Sequence, residues 1–374
     1  MEKLKLILNA VVFCFIIGAI LIIFLVTPEK KESLSERRPL KTFEEVMNGE
    51  NHPFDEFEGY FLDQFPFREG FRRIKTYYNN NMDILGKDNN GIYKLDGSYI
   101  KMEENLDESQ VEYAADLINK VIEKEGINEN NVYYSIIPDK HYYGSKLGGY
   151  PALDYDKMFS IMSKKLEKAE YIDITGKLSI SDYYKTDPHW SQDKITDVAE
   201  HLVSSMNDGV SIKPKEGWKI NVLEPYYGLY HGQLLIDMPA DKIVYLTSDA
   251  TENMKVTMPE KPAIKDVYTI DLFKGKDPYD VFLAGAMSYI EIENPNAQSD
   301  RTLVVFRDSF GSSIAPLMAH GYKKTVLIDL RYMMPDMIRN FVKFDENTDV
   351  LFLYSTGLLN GGRILRNYNN IRTK

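Results

Sequence analysis

Short apolar runs alternate with amphipathic helical stretches along most of this chain. The runs typical of buried strands lie at residues 131–138, 171–175, 302–306, 325–330 and 349–355. Apolar positions at helical spacing occupy residues 108–125, 158–169, 311–321 and 334–344 between them. Strands that alternate with helices in this way predict an α/β domain with a flavodoxin-like, doubly wound parallel sheet of about five strands.

Two regions depart from this rhythm. Residues 207–280 contain short β-like pieces, among them 241–247 and 266–273, separated by Pro, Gly and Asp turns. We interpret them as an accessory β-rich insertion. Residues 43–84 carry aromatic side chains at helical spacing among many charges, which favours a helical cap. After it, Asp96-Gly97 between two β-like segments predicts a hairpin.

Residues 6–26 form an apolar run without a charged side chain. As a helix it spans about 31 Å, the thickness of a bilayer core. Lys3 and Lys5 precede it, and no small-x-small cleavage site closes it. We therefore predict an uncleaved, single-pass signal anchor over residues 1–26, with the catalytic domain outside the cytoplasm. The charged residues 27–40 then form a tether to a domain over residues 41–374.

Composition narrows the chemistry. A formal net charge of −11 over 374 residues argues against a nucleic-acid partner, because phosphate binding needs a basic footprint. The one cysteine, Cys14, lies inside the apolar run, so the predicted exported part contains no thiol. Disulfides, cysteine nucleophiles and Cys-ligated zinc are thereby excluded from it.

The segment "KTDPHWSQD" (185–193) is the first candidate for catalysis. Pro188 favours extended backbone, in which Asp187 and His189 project to the same side. A carboxylate that accepts from one imidazole nitrogen leaves the other nitrogen free to act as a base. The structural alternative is that this pair only begins a helix, with Ser191 as its cap.

The second candidate is "LVVFRDSFGSS" (303–313), where a strand runs into a turn and then a helix. This places Ser309 near free backbone N–H groups that can stabilise an oxyanion, and Gly311 permits close backbone approach. Taken alone, Ser309 is an ordinary helix N-cap. A serine nucleophile needs an activating base, and the Asp-x-His unit on another loop favours catalysis.

Three further residues are candidates for lining a substrate site. Trp190 adjoins His189, and Lys140 follows the strand at 131–138, where open α/β sheets build their sites. His231 lies among aromatics and glycines in "YYGLYHGQL". The structural alternatives are a packed Trp190, a solvated Lys140 and a structural His231. The histidine spacings suggest no metal site.

These motifs resemble the DHHW family and the related alginate O-acetylation proteins of the SGNH-hydrolase-like group. The similarity includes "SERRPL", "YFLDQFPFREGFR", "IPDKHYYG", "YKTDPHW", "DVFLAG" and "VVFRDSFGSSIAPLMAHGYKKTVLIDLRY". It implies Ser309 as nucleophile, His189 as base and Asp187 as the residue that orients the base, in an order permuted relative to SGNH esterases. It also implies Gly285 as an extra oxyanion donor. The chain departs from the family at Pro188, where the name motif has a second His, and beside Gly285, where no Asn follows.

The resemblance implies acetyl transfer to, or ester cleavage on, an extracellular polysaccharide, without a cofactor or metal. For a transferase it further implies a polytopic membrane O-acyltransferase as partner. Because the Asn is missing, a catalytically weak glycan-binding or assembly protein of the cell envelope stays open as the alternative. A purely structural envelope anchor has no positive feature in its favour.

Overall fold

The computed structural model describes residues 2–48, 53–81 and 91–368. Contacts along the chain divide it into two compact units, Met1–Asn90 with Leu229–Met238, and Gly91–Gly228 with Pro239–Lys374. The predicted boundaries between anchor, tether and domain remain predictions. Residues 49–52 and 82–84 of the predicted cap lie outside the described residues.

The first unit is mostly helical. Its elements are α1 (Glu2–Val26), β1 (Glu32–Ser33), β2 (Arg38–Pro39), α2 (Phe43–Asn48), α3 (Pro53–Gln64) and α4 (Arg68–Asn81). α1 is long and apolar enough to cross a membrane, and none of its residues is buried. β1 and β2 pair antiparallel, and Arg38 donates two hydrogen bonds to Asp63 of α3. Residues 30–40 are therefore bonded to the helices of this unit.

The second unit holds the sheet. Its first half comprises β3 (Ile92–Leu95), β4 (Ser98–Lys101), α5 (Glu108–Lys124), β5 (Val132–Ile137), α6 (Lys140–Gly148), α7 (Tyr155–Lys165), β6 (Glu170–Tyr171), α8 (Thr196–Met206) and β7 (Lys219–Tyr226). The chain then passes through α9 (Leu229–Leu234) of the first unit. β8 (Asp241–Thr247), α10 (Asp249–Asn253), β9 (Lys255–Thr257), β10 (Tyr289–Glu293), β11 (Thr302–Arg307), α11 (Gly311–Met318), β12 (Lys324–Ile328), β13 (Thr348–Ser355) and α12 (Thr356–Asn360) follow.

The central sheet has the order β6-β5-β13-β11-β12-β10-β9. The first five strands are parallel, and β10 and β9 extend the sheet antiparallel at one edge. Alternate residues of β11 face opposite cores: Leu303 and Val305 join the cluster with α8 and α11, and Val304 and Phe306 join the cluster with α5 and α7. The predicted doubly wound α/β fold is confirmed.

Local predictions hold where the sequence signal is strong. The hairpin β3–β4 turns at Asp96-Gly97, where both residues have positive φ. Asp107 caps α5 by accepting from the Gln110 amide. Ser191 does not cap α8: its hydroxyl donates to Asp193 within a 3-10 turn that precedes the helix.

Two further segments differ from their predicted state. Residues 266–273 were expected to be β-like, but they contain a 3-10 turn at Ile270–Lys274 and only an isolated bridge from Tyr268 to Phe282. Residues 334–344 were expected to form an α-helix and instead form the 3-10 helix Pro335–Asn340. The β7–β8 antiparallel pair supplies most of the β-structure of the insertion.

Candidate functional site

Asp187 and His189 lie in a tight loop, residues 183–190, which has almost no regular structure of its own. We call this loop the Asp187 turn. An isolated antiparallel bridge joins Tyr183 to Trp190, and the Tyr184 amide donates to the His189 carbonyl. Inside this loop, Asp187 Oδ1 accepts from the His189 amide at 3.1 Å and lies 2.6 Å from His189 Nδ1. The side chain of Asp187 is only 2% exposed. One carboxylate therefore fixes both the backbone and the ring of His189.

Ser309 lies between the end of β11 and the start of α11. Asp308 holds this turn, because its carboxylate accepts from the Phe310 amide at 3.0 Å and from the Ser355 amide of β13 at 2.8 Å. A Cβ at Gly311 would lie 2.6 Å from the Cβ of Arg307, so a side chain there would displace the turn. The strand-to-helix turn predicted from the sequence is present.

The two loops meet although 120 residues separate them. His189 Nε2 lies 2.8 Å from Ser309 Oγ, within the hydrogen-bond reach of about 2.6–3.2 Å that a base and a nucleophile need. With Nδ1–H donated to Asp187, Nε2 is the unprotonated nitrogen, and it accepts from the serine hydroxyl. The three residues thus form a continuous hydrogen-bonded chain competent for general-base activation of Ser309.

The imidazole of His189 is contacted on one face as well as at its ring nitrogens. The Tyr279 ring stacks on His189 with centroids 4.0 Å apart and an interplanar angle of 12°. The Tyr279 hydroxyl donates to Ser313 Oγ at 2.9 Å, which ties the stack to α11. No pattern in the sequence marked Tyr279, because its contact with His189 depends on tertiary packing between segments that are far apart in the sequence.

Trp190 packs inside the protein next to the serine turn. It is fully buried, and its Nε1 donates to the Phe310 carbonyl at 3.2 Å and to Ser313 Oγ at 2.9 Å. It joins the loop of His189 to the first turn after Ser309. Its packing and hydrogen bonds are those of a structural residue, and its expected role in lining a substrate site stays a prediction.

Backbone N–H groups near Ser309 decide where an oxyanion can be stabilised. Among the described residues, the Ser309 amide donates no backbone hydrogen bond. Gly285, the second expected donor, has a φ of +83° and donates its amide to the Phe282 carbonyl at 3.2 Å. This bond argues against Gly285 as a donor in the present conformation. Its role remains a prediction.

Lys140 lies under the Asp187 turn and is 2% exposed. Its Nζ bonds the main-chain carbonyls of Tyr99 at 2.5 Å, Tyr184 at 2.7 Å, Lys185 at 3.3 Å and Asp187 at 3.2 Å. Burial lowers the pKa of Lys140 to about 7, although the charges of Asp187 and Asp241 oppose this shift. Lys140 is therefore buried rather than solvated, and its expected role at a substrate site stays a prediction. It holds the loop.

Asp241 at the start of β8 fixes the same loop from the other side. Its carboxylate accepts from the Lys185 amide at 2.9 Å, the Thr186 amide at 2.7 Å and Thr186 Oγ1 at 2.6 Å. The Gly228 amide donates to Thr186 Oγ1 at 2.9 Å. The residue just before Asp187 is thus bonded through its amide and its hydroxyl.

His231 lies in α9 of the first unit, and burial lowers the pKa of its imidazole. Its predicted role at the substrate site stays a prediction. Across residues 2–48, 53–81 and 91–368, no three His, Cys, Asp or Glu side chains are grouped so as to hold a metal ion.

No family model matches the sequence, and no curated protein matches it. Solved structures do match. A DHHW family protein from Eubacterium siraeum is 22% identical, with 75% of this chain and 96% of that chain covered and a TM-score of 0.60. Bacillus cereus PatB1 is 22% identical over 72% of this chain and 96% of its own, with a TM-score of 0.56. The O-acetyltransferase domain of Pseudomonas putida AlgJ is 11% identical over 72% of this chain and 92% of its own, with a TM-score of 0.44. The chain therefore shares the α/β fold of the DHHW family protein and of PatB1, as its motifs predicted.

Proposed function

We propose that this protein is a serine-dependent O-acetyltransferase or acetylesterase acting on a cell-surface polysaccharide through an acetyl-enzyme. The observation that carries the proposal is the hydrogen-bonded chain from Asp187 through His189 to Ser309. The fold shared with the DHHW family protein supports it, and AlgJ is named as an O-acetyltransferase domain.

The proposed reaction has two halves. Ser309 Oγ attacks the acetyl carbonyl carbon while its proton passes to His189 Nε2, and the resulting oxyanion is stabilised by the Ser309 amide. Collapse expels the donor alkoxide, which takes the proton from His189 and leaves an acetyl ester on Ser309. A sugar hydroxyl, or water in an esterase, then gives its proton to His189 and attacks the carbonyl carbon of that ester. The bond between this carbon and Ser309 Oγ breaks, Oγ takes the proton back from His189, and the acetylated sugar, or acetate, leaves. These steps require no cofactor or metal.

A covalent reagent tests the nucleophile directly. One solved structure of PatB1 carries a sulfonyl adduct. An aryl sulfonyl fluoride should add one sulfonyl group to the full chain, on the peptide that contains Ser309. Ser309→Ala should prevent both this adduct and acetate release from 4-nitrophenyl acetate, whereas Ser205→Ala, at an exposed position of α8, should change neither. Labelling that persists in Ser309→Ala would refute the assigned nucleophile.

The second candidate is a catalytically weak glycan-binding or assembly protein. The bond from the Gly285 amide to Phe282 favours it, since loss of one oxyanion donor typically lowers turnover by about 10²–10³. A wild type that forms no acyl-enzyme, and binds glycan as tightly as Ser309→Ala does, would establish this candidate in place of the enzyme.

For localisation we propose that α1 is an uncleaved anchor and that the α/β domain is extracytoplasmic. A polytopic O-acyltransferase would then supply acetyl groups from the membrane. Fractionation with intact-mass measurement tests the anchor: the full-length mass should be found in the membrane fraction. A soluble product that begins near residue 30 would mean that α1 is a cleaved signal peptide.

A further inference from the structure

Helix α4 has its polar face turned inward and its apolar face turned outward. On the inner face, Arg72 donates to the carbonyls of Gly232 and Gln233 at 3.2 and 2.9 Å, and Thr76 is 2% exposed. On the opposite face, apolar side chains recur three and four residues apart. They are Phe67, in the turn that immediately precedes α4, and Phe71, Ile74 and Tyr78 of α4, with exposed fractions of 71%, 50%, 61% and 53%. We call these four residues the outer face of α4.

This arrangement reverses the amphipathic pattern of a soluble protein, whose surface helices bury their apolar stripe. An exposed apolar face of this kind marks a contact with lipid or with another protein. The side chains beside it discriminate between these occupants. Arg73 and Lys75 border the outer face on its two sides, and both are exposed. Basic residues that flank an apolar stripe are typical of helices that lie in a lipid headgroup region.

A continuous row of aromatic rings joins the outer face to the apolar helix α1. Phe24, in the last turn of α1, contacts Phe61 of α3 with ring centroids 5.1 Å apart. Phe61 contacts Phe65 at 5.4 Å, and Phe65 contacts Phe71 of α4 at 5.7 Å. If α1 spans the bilayer, Phe24 lies near the bilayer surface. The row of ring contacts then places Phe71 of α4 close to that surface as well.

We propose that α4 lies on the membrane surface beside α1, with Phe67, Phe71, Ile74 and Tyr78 at the boundary between headgroups and acyl chains. The occupant of the face is the lipid bilayer, and Arg73 and Lys75 reach its phosphate groups. This contact adds a second attachment to the anchor and restricts rotation of the first unit about α1. The proposal rests on the proposed anchor and is independent of acetyl transfer.

Spin labels on the full chain in lipid nanodiscs test the contact. In a Cys14→Ala background, Phe71→Cys and Ile74→Cys each provide one thiol for a nitroxide label. Tyr332→Cys is the matched control, because Tyr332 is 47% exposed and Phe71 is 50% exposed. Collisions with oxygen, which partitions into lipid, are compared with collisions with a water-soluble nickel chelate.

At positions 71 and 74 the label should collide with oxygen severalfold more often than with the chelate. At position 332 the label should collide more often with the chelate. If labels at 71 and 74 respond like the label at 332, the face is in water and the proposal is overturned. If both relaxing agents are excluded at 71 and 74, a protein covers the face, which also overturns it. The intact mass of the labelled chain reports separately whether α1 is retained, and acetyl release reports separately on the proposed enzyme.

Discussion

Replacing Lys140 by Met removes the ammonium group that bonds four main-chain carbonyls around the Asp187 turn. A lost bond to a buried carbonyl costs about 1–3 kcal/mol. The Lys185 carbonyl keeps a partner, because it also accepts from the Tyr99 amide at 2.8 Å, so the loss falls on the bonds to Tyr99, Tyr184 and Asp187. These three losses together exceed what relief of the buried charge returns. We expect the free energy of unfolding to fall by about 3 kcal/mol. Lys146→Met is the matched control, because Lys146 lies in the same helix and is exposed.

The same substitution should lower turnover more than stability alone explains. The Asp187 carbonyl loses its bond to Nζ, and the carboxylate that orients His189 loses its support. A misplacement of about 1 Å in such a site costs about 10²-fold in rate. In assays with 4-nitrophenyl acetate below the melting temperature, we expect kcat to fall about 10²-fold with KM nearly unchanged.

The pH dependence of stability separates Lys140 from other residues. Its folded pKa of about 7 lies below the usual 10.5, so between these values the unfolded chain binds more protons than the folded chain. Wild-type stability should therefore rise with pH through this window, by up to about 1.4 kcal/mol per pH unit from this group. Lys140→Met should lose that increment, and Lys146→Met should keep it. A Lys140→Met protein with the melting temperature, the pH dependence of stability and the kcat of the wild type would refute the proposal that Lys140 holds the Asp187 turn.

Three further outcomes are expected. Asp187→Asn should lower kcat by roughly 10⁴, by analogy with the best-studied serine triad, because the tautomer of His189 is lost; stopped-flow acylation kinetics would reveal a smaller effect. Asp241→Asn should destabilise the protein by about 1–3 kcal/mol in urea unfolding, because the amide donors of the Thr186 segment lose a charged acceptor, and an unchanged midpoint would contradict this. His320 lies in the 3-10 turn Ala319–Gly321, and burial lowers the pKa of its imidazole to about 4 from 6.5. The free energy of unfolding should therefore fall as the pH drops from 6.5 towards 4. Melting curves of His320→Gln should lack that fall, and an identical fall would exclude His320 as its cause.

The parallel part of the sheet was predictable because its strands are continuous apolar runs. β5, β11 and β13 are buried on both faces, and such strands are visible without knowledge of their neighbours. β9 and β10 were missed, since β9 is only three residues long and β10 alternates with exposed glutamate positions. Their place in the sheet is set by pairing with β12, which is a tertiary effect.

The chemistry of the site was more predictable than its support. Asp187, His189 and Ser309 lie in short motifs made of the residue types that serve as orienting acid, base and nucleophile in a serine triad, so they could be proposed from the sequence alone. Lys140 and Tyr279 act through contacts with distant segments, and a lysine after a strand is indistinguishable in sequence from a solvated one. Lys140 follows β5 as the sequence indicated, and it is buried rather than solvated, while its expected role at a substrate site stays a prediction.

The supports explain how two loops without regular structure keep a separation of 2.8 Å between His189 and Ser309. Lys140 follows β5, and Ser309 follows β11, and in the sheet both strands neighbour β13. Asp308 bonds the end of β13 at Ser355, so the serine turn is fixed to that strand. The carboxyl ends of three adjacent parallel strands thus set the position of Ser309, the proposed nucleophile, and of the lysine that holds the loop of His189, its proposed base. Because strand pairing fixes these ends within the sheet, the arrangement is in place without a substrate, as electrostatic preorganisation of the proposed serine nucleophile requires.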